Sequence, residues 1–199
     1  RVIDTLGLTD VAVVGHDSGG MIARHAVAGD PRVRAVGLID TEQTPGLNWK
    51  FRSFIAGRKV PGFGAALSFL ASKPSLRRNR LVLGDAFVDR SLLDGDFDEF
   101  FLRPIYTSPS YRSATMRLLK SFDFAHVKAL PELHRRIQAP VLLVWGEHDK
   151  FFPLKWAKEM AATFPNTRLE VIPGAGLFSH EERPAEVAAV LLPALTARA

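Results

Sequence analysis

The sequence predicts an α/β fold in which a helical segment interrupts a parallel sheet. Short apolar runs rich in β-branched residues alternate with helical patterns near both ends of the 199-residue chain. A glycine-rich turn follows the first of these runs, and Pro-Gly pairs break up the middle of the chain. We therefore expect one domain of about four core strands. In it, residues 1–43 and 125–199 form the α/β core, and residues 44–124 form a helical cap, or lid.

The first part of the core is predicted from a single βαβ pattern. Residues 1–6 have the pattern of an amphipathic helix that ends at Gly7. The apolar run 11–14 suits a strand covered on both faces, the stretch 20–28 has helical character, and 35–39 is a second strand. Two strands joined through a helix imply parallel pairing and a right-handed crossover.

The middle of the chain is predicted to be mostly helical, and the α/β alternation returns after it. Helices are expected over 65–71, 91–102 and 110–122. Beyond residue 124, the predicted elements are strand 140–145, helix 154–164, strand 168–172 and helix 184–195. In such a sheet the ligand cleft lies at the carboxyl ends of the strands, here beneath the lid.

The composition is that of a globular protein, with 47% hydrophobic and 24% charged residues. No apolar run approaches the roughly 18 residues of a membrane span, and the region near Arg1 lacks a signal-peptide pattern. We therefore expect a cytoplasmic protein without a membrane partner. The absence of cysteine excludes disulfides, thiolate metal sites and a cysteine nucleophile. No metal site is predicted either, because His25, His126 and His134 lack metal-ligand spacing.

The positive charge is concentrated in the predicted lid. The net charge is +5, and thirteen Lys/Arg against seven Asp/Glu between Thr44 and Asp123 account for the excess. The densest run, 77–80, has no nucleic-acid-binding motif around it. This pattern favours a solvated basic face without a nucleic-acid partner, and an anionic substrate is the alternative.

The run Gly15-His16-Asp17-Ser18-Gly19 follows a predicted strand and opens a predicted helix. The residue at the centre of such a turn projects its side chain above the sheet. Small residues two positions before and after it let the strand and the helix approach. Centring on Ser18 places the bulky His16 where a small residue is needed. Asp17 is therefore the predicted nucleophile, and Ser18 is the weaker alternative.

Residues 14–20 resemble the nucleophile elbow of haloalkane dehalogenases, soluble epoxide hydrolases and fluoroacetate dehalogenases, the aspartate-nucleophile branch of the α/β-hydrolase-fold superfamily. The resemblance implies an α/β-hydrolase-type sheet and an alkyl ester that forms on Asp17 and is hydrolysed by a histidine-activated water. A carboxylate is already ionised at neutral pH, so only the hydrolytic step needs a general base. The implied substrate is a small apolar epoxide or haloalkane, and no cofactor is implied.

The resemblance also implies an acid that orients the histidine. Residues 144–149 resemble the family position of that acid, directly after a strand, which assigns the role to Asp149. Asp40 and Glu42 follow the preceding strand and are the reserve candidates, because some relatives carry the acid there. A turn or N-cap aspartate is the structural alternative for Asp149.

The expected histidine is missing from the loop before the last helix. Residues 173–184 resemble the family's loop, but Leu177 stands at the histidine position. Leucine cannot accept a proton, so either the base has moved or ester hydrolysis is lost. His180 lies about one helical turn further on and is the candidate replacement, with a surface or capping role as its alternative. A catalytically silent binding protein is therefore the second functional hypothesis, and a Ser18-dependent esterase is the third.

Contacts with a small-molecule substrate are expected beside the nucleophile and from the lid. Tyr106 and Tyr111 are the two tyrosines of the chain, and the resemblance implies that lid tyrosines donate hydrogen bonds to an opening epoxide oxygen. Trp49 is a candidate halide contact, because Ser18 stands where haloalkane dehalogenases carry a tryptophan. His16 and the backbone N–H of Ser18 complete the predicted substrate contacts.

The resemblance further implies a longer protein. The family's sheet has about eight strands, whereas about half of them are recognisable here, and the loop that supplies a second oxyanion-hole amide is not among them. We expect a C-terminal fragment in which strand 11–14 becomes an exposed apolar edge. As an isolated polypeptide it is expected to aggregate or to be inactive.

Overall fold

The computed structural model describes residues 1–46 and 48–196, and its centre is a four-stranded parallel sheet. Every neighbouring pair of strands is parallel, so the carboxyl ends of all four lie along one edge. The predicted sheet is confirmed, and the strand ends differ from the predicted ones by at most two residues. The strands, in their spatial order, are β1 (Val11–His16), β2 (Val33–Ile39), β3 (Val141–Gly146) and β4 (Thr167–Ile172).

Helices flank the sheet and fill the segment between β2 and β3. None of those in the described ranges is both long and apolar enough to span a membrane. The α-helices are α1 (Val2–Thr5), α2 (Ser18–Val27), α3 (Trp49–Gly57), α4 (Phe63–Ser72), α5 (Pro74–Arg77), α6 (Arg103–Thr107), α7 (Pro109–Ser121), α8 (Phe124–Lys128), α9 (Leu130–Arg136), α10 (Leu154–Ala161), α11 (Ser179–Glu182) and α12 (Pro184–Thr196).

The continuous helix predicted over 91–102 is replaced by two short turns. A 3-10 turn spans Arg90–Leu93 and a π-helical turn spans Asp98–Leu102. Between them, Gly95 has a φ of +68°, a left-handed conformation that interrupts a right-handed helix. Asp94 beside it pairs with Arg77 on α5, so tertiary contacts determine the local backbone here.

The core lies on both faces of the two central strands. All six residues of β3 and six of the seven residues of β2 are buried. Leu38 and Leu143 face one apolar cluster, whereas Ile39 and Val144 face a second cluster formed with α12. This alternation follows from the pleat of a strand. Each fully buried aliphatic side chain stabilises the fold by about 1.5–3 kcal/mol.

Strand β1 lies at one end of the strand order, with β2 as its neighbour in the described part of the chain. Val14 is 45% exposed, and the three residues before it are half-buried. The prediction that residues 11–14 are covered on both faces is therefore wrong for the described residues. The expected apolar edge is present.

The basic run 77–80 is not a purely solvated face. Arg77 is 4% exposed and pairs with Asp94 and Asp98, while Arg80 pairs with Asp85. The expectation of a solvated face is wrong for Arg77, because its charge holds α5 against the segment around the π-helical turn. The assignment of 44–124 as a lid stays a prediction.

Candidate active site

Asp17 occupies a strained turn between the end of β1 and the start of α2. Its φ is 48° and its ψ is −133°, a backbone conformation that costs a non-glycine residue about 1–3 kcal/mol. Hydrogen bonds on both sides hold it: the Asp17 N–H donates to Ile39 O (3.2 Å) and Asp40 O (3.1 Å), and Asp17 O accepts from Gly20 N–H (2.8 Å). The strain is thus supported by β2 and α2.

The glycines of the turn are required by close backbone approach. A Cβ on Gly15 would lie 2.5 Å from Gly19 O, so β1 and α2 could not meet at this distance. A Cβ on Gly20 would lie 2.4 Å from the Thr41 hydroxyl. The contact between Gly15 and Gly19, two positions before and two after Asp17, has the geometry expected of an elbow centred on Asp17.

The Asp17 carboxyl is half-buried at the carboxyl edge of the sheet. Burial raises its pKa to about 6, and hydrogen bonding from the Ser18 backbone acts in the opposite direction. The Ser18 hydroxyl lies 3.4 Å from Asp17 Oδ1. At neutral pH Asp17 is mostly a carboxylate and can act as a nucleophile without a base.

Asp149 lies in the turn after β3 and is 6% exposed. Its Oδ1 accepts the N–H groups of Phe151 (2.7 Å) and Phe152 (3.0 Å), whereas its buried Oδ2 has no partner within residues 1–46 and 48–196. Burial raises the pKa of Asp149 to about 8, and the charge of Asp17 adds to the rise. The two carboxyls therefore lie close enough to interact, and Asp149 holds a proton at neutral pH.

His180 lies on α11 and faces His16, with ring centroids 4.4 Å apart. Burial, together with the neighbouring His16, lowers the pKa of His180 to about 4. Among the described residues, neither the buried His180 Nδ1 nor the buried Asp149 Oδ2 has a partner, so these two atoms are not bonded to each other. The structure does not join His180 to Asp149, and a catalytic role for His180 stays a prediction.

Leu177 fills the position at which the family resemblance places the base. Its side chain is 6% exposed and packs in the larger apolar cluster. Leu177 O lies 2.9 Å from His16 Nε2. A carbonyl only accepts, so His16 carries its proton on Nε2. Burial lowers the pKa of His16 to about 4, which keeps its ring neutral.

The two reserve acids have different surroundings. Asp40 is fully buried, with Oδ1 accepting from Gly146 N–H (2.7 Å) and Oδ2 from the Ser179 hydroxyl. Burial and the charge of Asp149 raise the pKa of Asp40 well above its usual range. These bonds tie β2 to the end of β3 and to α11. Asp40 therefore holds the loops of the site in place.

Glu42 is also fully buried, and it contacts the elbow directly. Its Oε1 accepts from the Ser18 hydroxyl at 2.9 Å. Its Oε2 lies 3.0 Å from the Thr41 hydroxyl and 3.9 Å from a guanidinium nitrogen of Arg24. Sequence reasoning did not find Arg24. The available signal was a lone arginine on an otherwise apolar helical face, beside Met21, Ala23 and Val27.

The predicted lid contacts lie in varied surroundings. Trp49 is 65% exposed, with Lys50 Nζ 4.9 Å from its ring centroid. Trp49 borders a cavity of about 240 Å³, and Phe151, next to the Asp149 turn, lines the same cavity. The Tyr106 hydroxyl donates to the Asp98 carboxylate (3.0 Å), and Tyr111 is 43% exposed. Substrate contacts by these side chains stay predictions.

Comparison with known proteins gives a consistent fold. A family model described as the alpha/beta hydrolase fold matches residues 1–184. An uncharacterized hydrolase, YugF, of Bacillus subtilis (strain 168) is 26% identical over 185 residues, which cover 92% of this chain and 64% of the relative. The 2-hydroxy-6-oxo-6-phenylhexa-2,4-dienoate hydrolase of Burkholderia cepacia is 24% identical, over 91% of this chain and 61% of the relative. The chain thus spans less than two thirds of these curated relatives.

Solved structures resemble this chain in fold at lower identity. The 2-hydroxy-6-oxo-6-phenylhexa-2,4-dienoate hydrolase from Rhodococcus sp. strain RHA1 superposes with a TM-score of 0.74 at 16% identity, over 98% of this chain and 67% of that one. A meta-cleavage product hydrolase from Pseudomonas fluorescens IP01 superposes with a TM-score of 0.73 at 16% identity, over 96% and 66%. At these identities the likeness shows the fold alone.

Proposed function

Because the chain belongs to the alpha/beta hydrolase fold family, we propose that it is a hydrolase in which Asp17 attacks carbon to form a covalent alkyl ester. The substrate class is a small apolar epoxide or haloalkane. The observation that carries the proposal is the backbone of Asp17, which has a positive φ at a strand-to-helix turn and presents a carboxyl at the carboxyl edge of the sheet.

The first step needs only groups that lie at this edge. One Asp17 oxygen forms a bond to carbon, and the carbon–halogen or carbon–oxygen bond breaks with its electron pair going to the leaving atom. A departing halide needs no proton, whereas an opening epoxide oxygen does. The proton on Asp149, maintained by burial and by the nearby Asp17 charge, favours the epoxide.

The second step lacks an evident base. Hydrolysis of the ester requires a group that activates water, and Leu177 cannot do so. Asp149 and His180 are not bonded to each other. We therefore propose fast alkylation followed by slow hydrolysis, so that the ester on Asp17 accumulates. A catalytically silent binding protein is the alternative that Leu177 favours.

Intact mass spectrometry tests the proposal. The protein is incubated with styrene oxide and with 1-bromohexane, and the mass and the released diol or alcohol are followed over time. A mass increase that peptide mapping places on Asp17, absent in the Asp17→Asn variant, supports the proposal. If no substrate in such panels gives either an adduct or a product, that result supports the silent binding protein.

A second candidate function rests on the Ser18–Glu42 contact. The Ser18 hydroxyl donates to the buried Glu42 carboxylate at 2.9 Å, a pairing in which Glu42 can act as a base toward a serine nucleophile. The candidate is a Ser18-dependent esterase. Hydrolysis of p-nitrophenyl acetate that survives Asp17→Asn and disappears in Ser18→Ala would replace the first proposal with this one.

A further inference from the structure

A fully buried arginine lies directly behind the elbow. Arg24 Nε donates to Gly20 O at 3.0 Å, and Nη2 donates to the Thr41 hydroxyl and to Glu42 O, each at 2.9 Å. The Thr41 hydroxyl in turn lies 2.7 Å from Asp17 O. Arg24 is therefore connected through Thr41 to the strained backbone of Asp17.

The other side of Arg24 is fixed by a histidine in a defined tautomer. Arg24 Nη1 lies 3.2 Å from His134 Nε2, and His134 Nδ1 lies 2.6 Å from the Thr163 hydroxyl. That hydroxyl donates its single proton to Met160 O at 2.7 Å, so it accepts from His134 Nδ1–H. His134 Nε2 then carries a lone pair, which accepts a hydrogen bond from Arg24. Burial and the charge of Arg24 lower the pKa of His134 to about 2, which keeps this tautomer neutral.

The Ser18 hydroxyl has one proton and two carboxylates within reach. Glu42 Oε1 is 2.9 Å away, and Asp17 Oδ1 is 3.4 Å away. The shorter distance favours donation to Glu42, provided that Glu42 is ionised. Burial and the charge of Asp17 raise the pKa of Glu42, and the charge of Arg24 acts against this rise and so supports the ionised form.

We propose that Arg24 and Glu42 are positioning residues for Asp17. Arg24 keeps the charge on Glu42, and Glu42 takes the hydrogen bond of the Ser18 hydroxyl. Asp17 thereby attacks without a hydrogen bond from its neighbour's hydroxyl, a bond that would stabilise the attacking carboxylate and make it less nucleophilic. The inference rests on the proposed function, because it takes Asp17 as the nucleophile.

The test measures the titration of Asp17 itself. Aspartate is labelled with ¹³C at Cγ, the Asp17 signal is assigned by its absence in Asp17→Asn, and its midpoint is followed by NMR. Groups that face this carboxyl are Ser18, Glu42 and Asp149, and those that face Glu42 are Ser18, Thr41, Arg24 and Asp17.

The decisive variant is Glu42→Asp, which keeps the charge beside Arg24 but withdraws the carboxylate from Ser18 by one methylene. The freed hydroxyl then donates to Asp17, and the Asp17 midpoint falls by about one pH unit. The same change made in a Ser18→Ala background leaves the midpoint unmoved, and Ser18→Ala alone leaves it near the wild-type value. If Glu42→Asp does not fold, Glu42→Gln replaces it: loss of the charge lowers the Asp17 midpoint in both backgrounds, and the inference requires a larger fall when Ser18 is present.

Two results would overturn the inference. One is a rise of about one unit in Ser18→Ala alone, which would place the hydroxyl proton on Asp17 already. The other is an equal shift of the Asp17 midpoint for Glu42→Asp with and without Ser18, which would show that Glu42 acts on Asp17 through its charge alone. Asp94→Asn, in the separate Arg77 ion pair, is the matched control and leaves the Asp17 midpoint unchanged.

The rate of adduct formation separates this inference from the proposed function. If Asp17 alkylates, Glu42→Asp slows adduct formation severalfold at a pH above both midpoints, and Ser18→Ala restores the rate in that background. If the wild-type protein forms no adduct, the proposed function fails, and the NMR titration still decides where the Ser18 proton lies.

Discussion

The two halves of the carboxyl edge differ in how completely their polar groups are partnered. Around β1 and β2, the Asp17 backbone, the Ser18 hydroxyl, Glu42 and Arg24, which form the elbow and its support, all have hydrogen-bond partners. In the described residues directly after β2, Gln43 Oε1 is the buried polar atom without one. Around β3 and α11, Asp149 Oδ2 and His180 Nδ1 are buried without partners in the part of the chain that the structure describes. Buried polar atoms without partners are uncommon in folded proteins.

The difference suggests which chemical step is supported. The partnered half holds the proposed nucleophile in a strained and fixed turn, which alkylation needs. The half with unpartnered atoms is where a base would have to sit for ester hydrolysis, and Leu177 supplies only hydrocarbon there.

Replacing Asp17 with Asn should abolish adduct formation. The amide is a poor nucleophile, so the rate should fall by at least about 10³-fold. Intact mass over time measures it, with Asp94→Asn as the control that retains the wild-type rate. An adduct that still forms in Asp17→Asn would move the nucleophile elsewhere.

Replacing Arg24 with Met should destabilise the fold strongly. It leaves Glu42 as a buried charge without its cation, which costs about 3–5 kcal/mol. Urea unfolding measures the free energy of unfolding. The matched control is Arg32→Met, whose pair with Asp30 is partly exposed and should contribute little to stability. An equal loss of unfolding free energy in the two variants would contradict a special stabilising role for the Arg24–Glu42 pair.

Replacing Leu177 with His should speed hydrolysis of the ester on Asp17, so that the enzyme turns over repeatedly. The loop before Leu177 lies against the end of β3, because the His148 N–H donates to Ala175 O at 2.9 Å. Above about pH 8, where Asp149 is ionised, an imidazole there can donate to Asp149 Oδ2 and activate water, which is worth about 10²–10⁴-fold in rate. Product release measured beyond one equivalent tests it.

The control for that variant is His180→Ala in both backgrounds. If Leu177→His restores hydrolysis and His180→Ala leaves it intact, position 177 is the site of the base. If wild-type hydrolysis is already fast and disappears in His180→Ala, His180 is the base and the contrast between the two halves is wrong.

Stability should fall between about pH 6.5 and 8 because of Asp149. Its folded pKa of about 8 lies above its unfolded value, so the native state binds more protons in this window and loses stability as pH rises. The slope is at most about 1.4 kcal/mol per pH unit. Urea unfolding at several pH values should show the slope in the wild type and in Asp94→Asn, and a flatter profile in Asp149→Asn.

The sheet could be predicted from sequence because its strands are short, β-branched and bounded by turns. The elbow could be predicted because the spacing of its glycines is dictated by backbone contact. The helix over 91–102 could not, since Gly95 and the Asp94–Arg77 pair act against its apparent periodicity. Arg24 was missed because its partners, Thr41, Glu42 and His134, are distant in sequence and only the fold brings them together.

The contact between Gly20 and Thr41 restricts how this site can change during evolution. A larger residue at position 20 meets the Thr41 side chain at 2.4 Å, so it requires a smaller residue at position 41. Because the clash is with the Thr41 hydroxyl itself, serine would not relieve it, and a residue that does would lack the hydroxyl that joins Arg24 to Asp17 O. Positions 20 and 41 can therefore change only together, and each joint change removes a hydrogen bond that holds the elbow. Few substitutions at this pair are then neutral.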